Sequence, residues 1–194
     1  MDRVTLKATA KAQTKGKIGI LFVIYLIMAA IAFAANLIPG VGAIAYAVVL
    51  GPAFTLAVVK IYLGLTVGVE PEIKALFGEF NNFWGAFKVT FLVGLFTALW
   101  SLLLYVPGII KAISYSQSMF ILAENPDIGA REAIDRSKAM MEGHKMEYFV
   151  LMLSFIGWFL LCAITCGIAA IWAIPYISAT MANFYNKVKS PVEA

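Results

Sequence analysis

Charged side chains are scarce in this sequence. Asp, Glu, Lys and Arg make up only 13% of its 194 residues and hydrophobic residues 62%, whereas a soluble domain has about 25% charged and 45–50% apolar residues. The shortage of charge excludes a water-soluble domain and predicts an integral membrane protein. Apolar helices of about 20 residues joined by short loops would place six spans in a chain of this length, with no room for a separate soluble catalytic domain.

Side chains that commonly perform catalysis or hold metals are also few. The sequence has one histidine and two cysteines, and it contains no nucleophile elbow, zinc-protease motif, phosphate loop or dinucleotide-binding glycine pattern. His144 lies in a polar turn without a cluster of ligands, and Cys162 and Cys166 are spaced like packing residues of one helix. We therefore expect no catalytic residues, metal site, cofactor or enzymatic activity.

Six apolar runs predict the spans, at 18–38, 43–66, 85–106, 107–123, 147–166 and 168–186. Tight turns close them in pairs, at Pro39-Gly40, Pro107-Gly108 and Cys166-Gly167, and a glycine followed closely by lysine opens each odd-numbered run. This internal similarity predicts three successive helical hairpins. None of the runs carries an acidic residue at depth, which excludes a proton relay or cation site built on intramembrane carboxylates.

The predicted fold is therefore all-α, a single integral membrane domain (1–194) built as a polytopic bundle of six transmembrane helices. Its hairpins cover 18–66, 85–123 and 147–186. A polar or amphipathic segment precedes each hairpin on the cytoplasmic side: a basic N-terminus (1–17), an interfacial segment (67–84) and an amphipathic helix (124–146), and a cytoplasmic tail follows at 187–194.

Two of these segments carry helix signals. In 67–84, Pro71 can start a helix with one apolar stripe, formed by Ile73, Leu76, Phe77 and Phe80. In 124–146, Asp127 can cap a helix that pairs Glu132 with Arg136. A weakly apolar face of this helix consists of Ala130, Ile134, Ser137 and Met141.

Basic residues gather on alternate connections, and this distribution sets the predicted orientation. The positive-inside rule places both termini in the cytoplasm and the protein, as a multi-pass chain, in the inner (cytoplasmic) membrane. It also explains the net charge of +4 without nucleic acid as a partner. A cleaved signal peptide is the alternative, suggested by the basic N-terminus and the small residues at 32–34, but the apolar run continues past them to Ile38.

The fourth span carries polar residues along one side. On a continuous helix, four of them would share an arc of about 100 degrees, and Gln117 would lie next to that arc. The four are Lys111, Ser114, Tyr115 and Ser118. Lys111 is close enough to the outer turn to extend to the surface, or it faces a water-filled cavity inside the bundle. The hydroxyls and Gln117 lie deeper and must be paired within the bundle or line a polar cavity.

Basic residues also recur on the cytoplasmic segments. Arg3, Lys7, Lys11 and Lys15 form a ridge with a spacing of four, and the third segment adds Arg131, Arg136 and Lys138. A Lys or Arg beside an anionic leaflet contributes about 1 kcal/mol to membrane attraction. These residues predict a surface for lipid or a protein partner, and the alternative is that they only set the topology and brace the hairpins.

The C-terminal third contains the run SFIGW at 154–158, Thr165 with Gly167, Pro175-Tyr176 and NFY at 183–185, with AIDRSKAMMEG upstream. In these residues the chain resembles the bacterial integral membrane proteins grouped as domain of unknown function nine hundred seventy-five. The resemblance implies a multi-span bacterial membrane protein and no particular activity or site residue. A looser resemblance, in the three-hairpin layout alone, is to the membrane domains of some glycerophosphodiester phosphodiesterases, whose chemistry belongs to a separate domain.

Two classes of function remain. The first is transport, or an accessory role in transport, of a small unidentified solute along the polar side of the fourth span. The second is a membrane scaffold, immunity or assembly factor that docks a partner or anionic lipid through its cytoplasmic amphipathic helices. Membrane lipids are the expected partners in both classes, and a homo-oligomer or another protein partner is compatible with either.

Overall fold

The computed structural model describes residues 3–39, 41–103 and 105–189. Regular structure in these residues is helical throughout, without a strand, and this confirms the predicted all-α class. The α-helices are α1 (Arg3–Thr14), α2 (Ile18–Asn36), α3 (Gly42–Ala45), α4 (Gly51–Thr66), α5 (Phe83–Leu103), α6 (Tyr105–Tyr115), α7 (Ser118–Glu124), α8 (Ala130–Met140), α9 (Lys145–Leu153), α10 (Ile156–Ile164) and α11 (Ala170–Lys189). Gly40 of the first predicted turn, the first two residues and most of the predicted tail lie outside the described residues.

Four helical stretches are long and apolar enough to cross a membrane, and they make the chain compatible with a membrane protein. They are Ile18–Asn36, Gly42–Thr66, Ile73–Leu102 and Lys145–Ile164. The predicted spans 107–123 and 168–186 are not among them. The first is divided between α6 and α7, and the second continues into a polar end that contains Lys187 and Lys189. The arrangement of six spans in three hairpins stays a prediction.

Proline shapes the second apolar stretch. Between α3 and α4 the chain makes a π-helical turn, Tyr46–Leu50, and Pro52 follows in the first turn of α4. A proline has no N–H to donate, and its ring collides with the carbonyl one turn earlier. Because a π turn spaces its hydrogen bonds more widely, the helix continues from Gly42 to Thr66 across the proline.

Helices α5 and α6 approach each other closely at Gly108. A side chain on Gly108 would place its Cβ 2.2 Å from Ser101 Oγ and 2.8 Å from Ser101 Cα. Only glycine allows α6 to come this close to α5. Pro107-Gly108, predicted as the turn itself, therefore lies within the first turns of α6 and helps to pack the two helices together.

Helix α11 lies at the centre of the packing, in contact with α1, α2, α4 and α10. Its Ala179 and Ala182 belong to one buried cluster, with Phe54 and Tyr62 of α4. One turn further on, Phe184, Tyr185 and Val188 belong to a second cluster that includes Leu122 and Leu151. The C-terminal half of α11 is too polar for the helix to count among the candidate spans. The same half contributes side chains to both buried clusters.

The interfacial segment differs from its prediction. Instead of one α-helix after Pro71, it forms two short 3₁₀ helices, Ile73–Leu76 and Gly78–Asn82. Leu76 is fully buried, and the rings of Phe77 and Phe80 stack at 6.3 Å beside Phe54. The aromatic residues therefore pack on α4 although the predicted α-helical stripe is wrong.

The segment 124–146 is predicted more accurately. Glu132 and Arg136 form the expected ion pair at 2.7 Å, and the predicted apolar face, which consists of Ala130, Ile134, Ser137 and Met141, is buried. Asp127 does not cap α8, because the capping position belongs to Gly129, whose extended backbone begins the helix without a side-chain hydrogen bond. The buried face packs on α5, α6 and α7, so α8 is part of the bundle.

The third predicted turn provides a test of the topology. Cys166 and Gly167 have positive φ angles of 48° and 90°, and Cys166 is exposed. With six spans, this turn and the 124–129 connection lie on opposite sides of the membrane. In a Cys162→Ser background, a membrane-impermeant maleimide added to whole cells should label Cys166 and should not label a cysteine at position 127 in an Asp127→Cys, Cys166→Ser variant.

Permeabilised cells provide the control, since both cysteines should then react. Labelling of both positions in whole cells, or of neither, would contradict the six-span arrangement.

Candidate functional sites

The predicted polar side of the fourth span coincides with a break between two helices. Helix α6 ends at Tyr115 and α7 begins at Ser118, with Ser116 and Gln117 in a turn. The sequence predicted a continuous helix with the five polar residues on one face. This prediction is wrong, because the helix is interrupted between Tyr115 and Ser118. The structure instead concentrates Ser114, Gln117 and Ser118, all buried, around an interruption of the backbone.

The serine hydroxyls at this break bond to the backbone of their own helix. Ser114 Oγ donates to Ile110 O, Ser116 Oγ to Ile113 O and Ser118 Oγ to Tyr115 O, each at 2.8 Å. Serines that bond back by three or four residues satisfy their own hydroxyls and favour bending of the helix. The serine hydroxyls therefore bond to their own helix, and none of the three has a hydrogen left to donate to a ligand.

A residue from α8 completes the break. Ser137 Oγ donates to Ser114 O at 2.8 Å and accepts from the Gln117 backbone N–H at 3.2 Å, and Ser137 is fully buried. It supplies partners for backbone groups that the interrupted helix leaves free. In the sequence, Ser137 lies on the apolar face of α8. Its hydroxyl among Ala and Ile side chains was the only indication that this face makes hydrogen bonds to another helix.

The Gln117 side chain is only partly satisfied. Its Nε2 donates to Ser116 Oγ at 2.8 Å, whereas its buried Oε1 has no hydrogen-bond partner within the described part of the chain. A buried polar atom left unpaired costs about 1–3 kcal/mol. This oxygen is the one polar group at the break that the surrounding helices do not accommodate.

Lys111 and Tyr115 are engaged elsewhere. The Lys111 ammonium lies 4.7 Å from the centre of the Trp100 ring of α5, a cation–π contact, and the Tyr115 ring packs against Phe96 at 6.2 Å. The structure therefore brings together the serines and Gln117 with Ser137, and it places Lys111 against an aromatic ring beside that group.

Helix α1 is fixed to the bundle through its less polar face. Leu6, Ala10 and Thr14 are buried, and α1 lies along α11. The two amides of Gln13 and Asn183 bond reciprocally, with Asn183 Nδ2 to Gln13 Oε1 at 2.6 Å and Gln13 Nε2 to Asn183 Oδ1 at 3.4 Å. This amide pair and the apolar contacts set the orientation of α1.

The predicted basic ridge on α1 divides into two parts. Lys7 turns toward the bundle, where its ammonium donates to Ser154 O at 3.2 Å and lies 4.5 Å from the centre of the Phe155 ring. Burial, with a smaller effect of the nearby Arg3 charge, lowers the pKa of the Lys7 ammonium below its usual value. Arg3, Lys11 and Lys15 remain exposed on the outside.

The basic residues of α8 have acidic neighbours. Arg136 pairs with Glu132 at 2.7 Å and Lys138 with Asp135 at 3.3 Å, both on the surface, while Arg131 is exposed. Exposed pairs of this kind contribute little to stability, but each carboxylate offsets a positive charge. The outer surface of α8 is therefore less basic than that of α1.

The geometry defines the class of protein. Within residues 3–39, 41–103 and 105–189, helices form all of the regular structure, four stretches can cross a membrane, and no group of three or more His, Cys, Asp or Glu is placed to hold a metal ion. This is a polytopic helical chain of the membrane-compatible type.

Comparison with known proteins then gives the family. The model of the family described as protein of unknown function DUF975 matches residues 1–118 and 103–191, and the chain belongs to that family. No curated protein matches, and no solved structure matches. The looser resemblance in layout to phosphodiesterase membrane domains is not shown by these comparisons.

Ser137 is the residue whose removal should show how the break is held. Ser137→Ala leaves the buried Gln117 N–H without its partner, and we expect a loss of about 1–3 kcal/mol of stability. The unfolding midpoint of the purified protein in detergent measures the change. Lys138→Ala, one residue further in an exposed ion pair, is the matched control and should cost about 0–1 kcal/mol. Equal midpoints for the two variants would contradict the role of Ser137.

Proposed function

We propose that the protein is a non-enzymatic membrane protein that binds anionic membrane lipid through the exposed face of α1. This is the scaffold prediction in its lipid form. The observation that carries it is the position of Lys11 and Lys15, which are exposed on a helix whose opposite face is buried in the bundle.

The charge of these lysines is available to a ligand. Lys11 and Lys15 take part in none of the salt bridges among the described residues, in contrast to Arg136 and Lys138 of α8. Arg3 adds a third exposed charge on the same helix. A basic residue near an anionic leaflet contributes about 1 kcal/mol, so Lys11 and Lys15 together contribute about 2 kcal/mol to lipid attraction.

The buried contacts of α1 favour this function because they hold the helix in place before lipid binds. Leu6 and Ala10 are fully buried, and the Gln13 amide is bound to Asn183. A surface that is already ordered loses little conformational entropy on binding. Docking of a protein partner through Arg131, Arg136 and Lys138 stays a prediction.

Lipid retention tests the proposal. The protein is extracted from vesicles of equal phosphatidylglycerol and phosphatidylcholine content, and the lipid that copurifies is quantified. We expect enrichment in phosphatidylglycerol for the wild type and loss of that enrichment for Arg3→Gln/Lys11→Gln/Lys15→Gln, since each basic residue is worth about fivefold in an association constant.

The matched control is Arg131→Gln/Arg136→Gln/Lys138→Gln, which also removes three positive charges and should keep most of the enrichment. If the two triple variants retain equal amounts of phosphatidylglycerol, α1 is not the lipid surface.

Transport, or an accessory role in transport, is the second candidate, and the break between α6 and α7 favours it. Transporters commonly place solute sites where membrane helices are discontinuous. The unpaired Oε1 of Gln117 is an acceptor at such a break, and Lys111 lies on the helix just before it. The solute would be small and polar.

Solute permeation tests this second candidate. Proteoliposomes that contain the wild type should swell in iso-osmotic glycerol, amino acid or sugar solutions faster than protein-free liposomes. Gln117→Leu and Lys111→Ala should reduce the rate several-fold, because they remove the acceptor and the cation at the break. Thr55→Val, at an exposed position of α4, should leave the rate unchanged, and a wild-type rate equal to that of empty liposomes would exclude permeation of these solutes.

A further inference from the structure

A cavity opens beside the exposed lysines of α1. It has a volume of about 400 Å³ and lies between α1, the first residue of α2, α10 and α11. Its walls include Ile18 and three aromatic residues, Trp158, Trp172 and Tyr176, and Lys11 and Lys15 stand at its edge. The volume is within the range of about 300–1,000 Å³ found for small-molecule sites.

The lining of this cavity combines aromatic rings with positive charge. The rings of Trp158 and Tyr176 pack against each other at 5.7 Å and form a firm apolar wall, and Trp172 is half-exposed. Among the described residues, those that line the cavity include no carboxylate. Aromatic walls alone would also suit a quaternary ammonium group, but two lysines at the edge repel a cation and attract an anion.

Helix α10 extends the apolar wall beyond Trp158. Leu161 and Cys162 follow Trp158 by three and four residues, which places them on the same side of the helix, and Leu161 is exposed. Water would not favour this surface, whereas an acyl chain would cover it. A ligand with a negative head and a long hydrocarbon tail matches both the cavity and the helix next to it.

We propose that this cavity is a specific site for one anionic phospholipid, with the phosphate between Lys11 and Lys15 and the start of an acyl chain against Trp158, Trp172 and Tyr176. The proposal rests on the function proposed above, because it assigns the lipid contact of α1 to a defined site. A diffuse attraction between α1 and an anionic leaflet would need the lysines but not the cavity.

Fluorescence quenching tests the site directly. In a Trp84→Phe/Trp100→Phe background, the remaining tryptophans are Trp158 and Trp172 of the cavity. The protein is reconstituted in phosphatidylcholine with a small fraction of either phosphatidylglycerol or phosphatidylcholine that carries brominated chains. We expect stronger quenching by the brominated phosphatidylglycerol at equal fraction. Lys11→Gln/Lys15→Gln should weaken this preference by about fivefold for each lysine.

Two matched variants separate the cavity from general surface charge, since each adds one negative charge. Ile18→Glu places it inside the cavity, at the start of α2, where a helix N-terminus tolerates a carboxylate. Ala8→Glu places it on the exposed face of α1. The site predicts that Ile18→Glu abolishes the preference for phosphatidylglycerol and that Ala8→Glu changes it by less than about fivefold.

The outcomes separate the two proposals. An equal effect of Ile18→Glu and Ala8→Glu would overturn the cavity site while leaving the lipid-binding face of α1 in place. No preference for phosphatidylglycerol in the wild type, in either quenching or lipid retention, would overturn both. Relief of the quenching by millimolar inorganic phosphate would overturn the lipid assignment in favour of a soluble anion.

Discussion

The structure depends on how backbone groups freed at helix breaks find new partners. A helix that is interrupted in apolar surroundings leaves donors and acceptors that water cannot reach, and other protein groups must bind them. Ser137 of α8 does this between α6 and α7, and Lys7 of α1 does it between α9 and α10 by donating to Ser154 O. Two of the three segments predicted to lie on the membrane surface thus complete the interrupted helices.

The basic residues of α1 and α8 differ in their partners. On α1, Lys7 donates to a backbone carbonyl at the break between α9 and α10. Lys11 and Lys15 of the same helix remain exposed beside an aromatic cavity. On α8, the buried face packs in the bundle, and Arg136 and Lys138 are paired with carboxylates. Of these two helices, and within the residues that the structure describes, α1 alone combines a fixed position, the unpaired positive charge of Lys11 and Lys15 and an apolar pocket. These three properties together favour the proposed anionic amphiphile as its ligand.

Periodicity and composition were sufficient to predict the helical class, the positions of α2, α4 and α5, the buried face of α8 and its Glu132–Arg136 pair. They were not sufficient for the breaks, because the apolar pattern continues through Ser116-Gln117 and through Ser154-Phe155 without a proline or glycine at either point. The contacts of Lys7 and Ser137 join residues far apart in the chain, and a spacing rule within one helix cannot detect them. The cavity was missed for the same reason, since its lining comes from both ends of the sequence.

The amide pair between Gln13 and Asn183 joins residues 170 positions apart. Most of the described chain lies between α1 and α11, so Gln13 can gain this partner only after α11 has been synthesised. Contacts of such long range are expected to form late in folding. The contact between α1 and α11 therefore forms only after the whole chain between them has been synthesised.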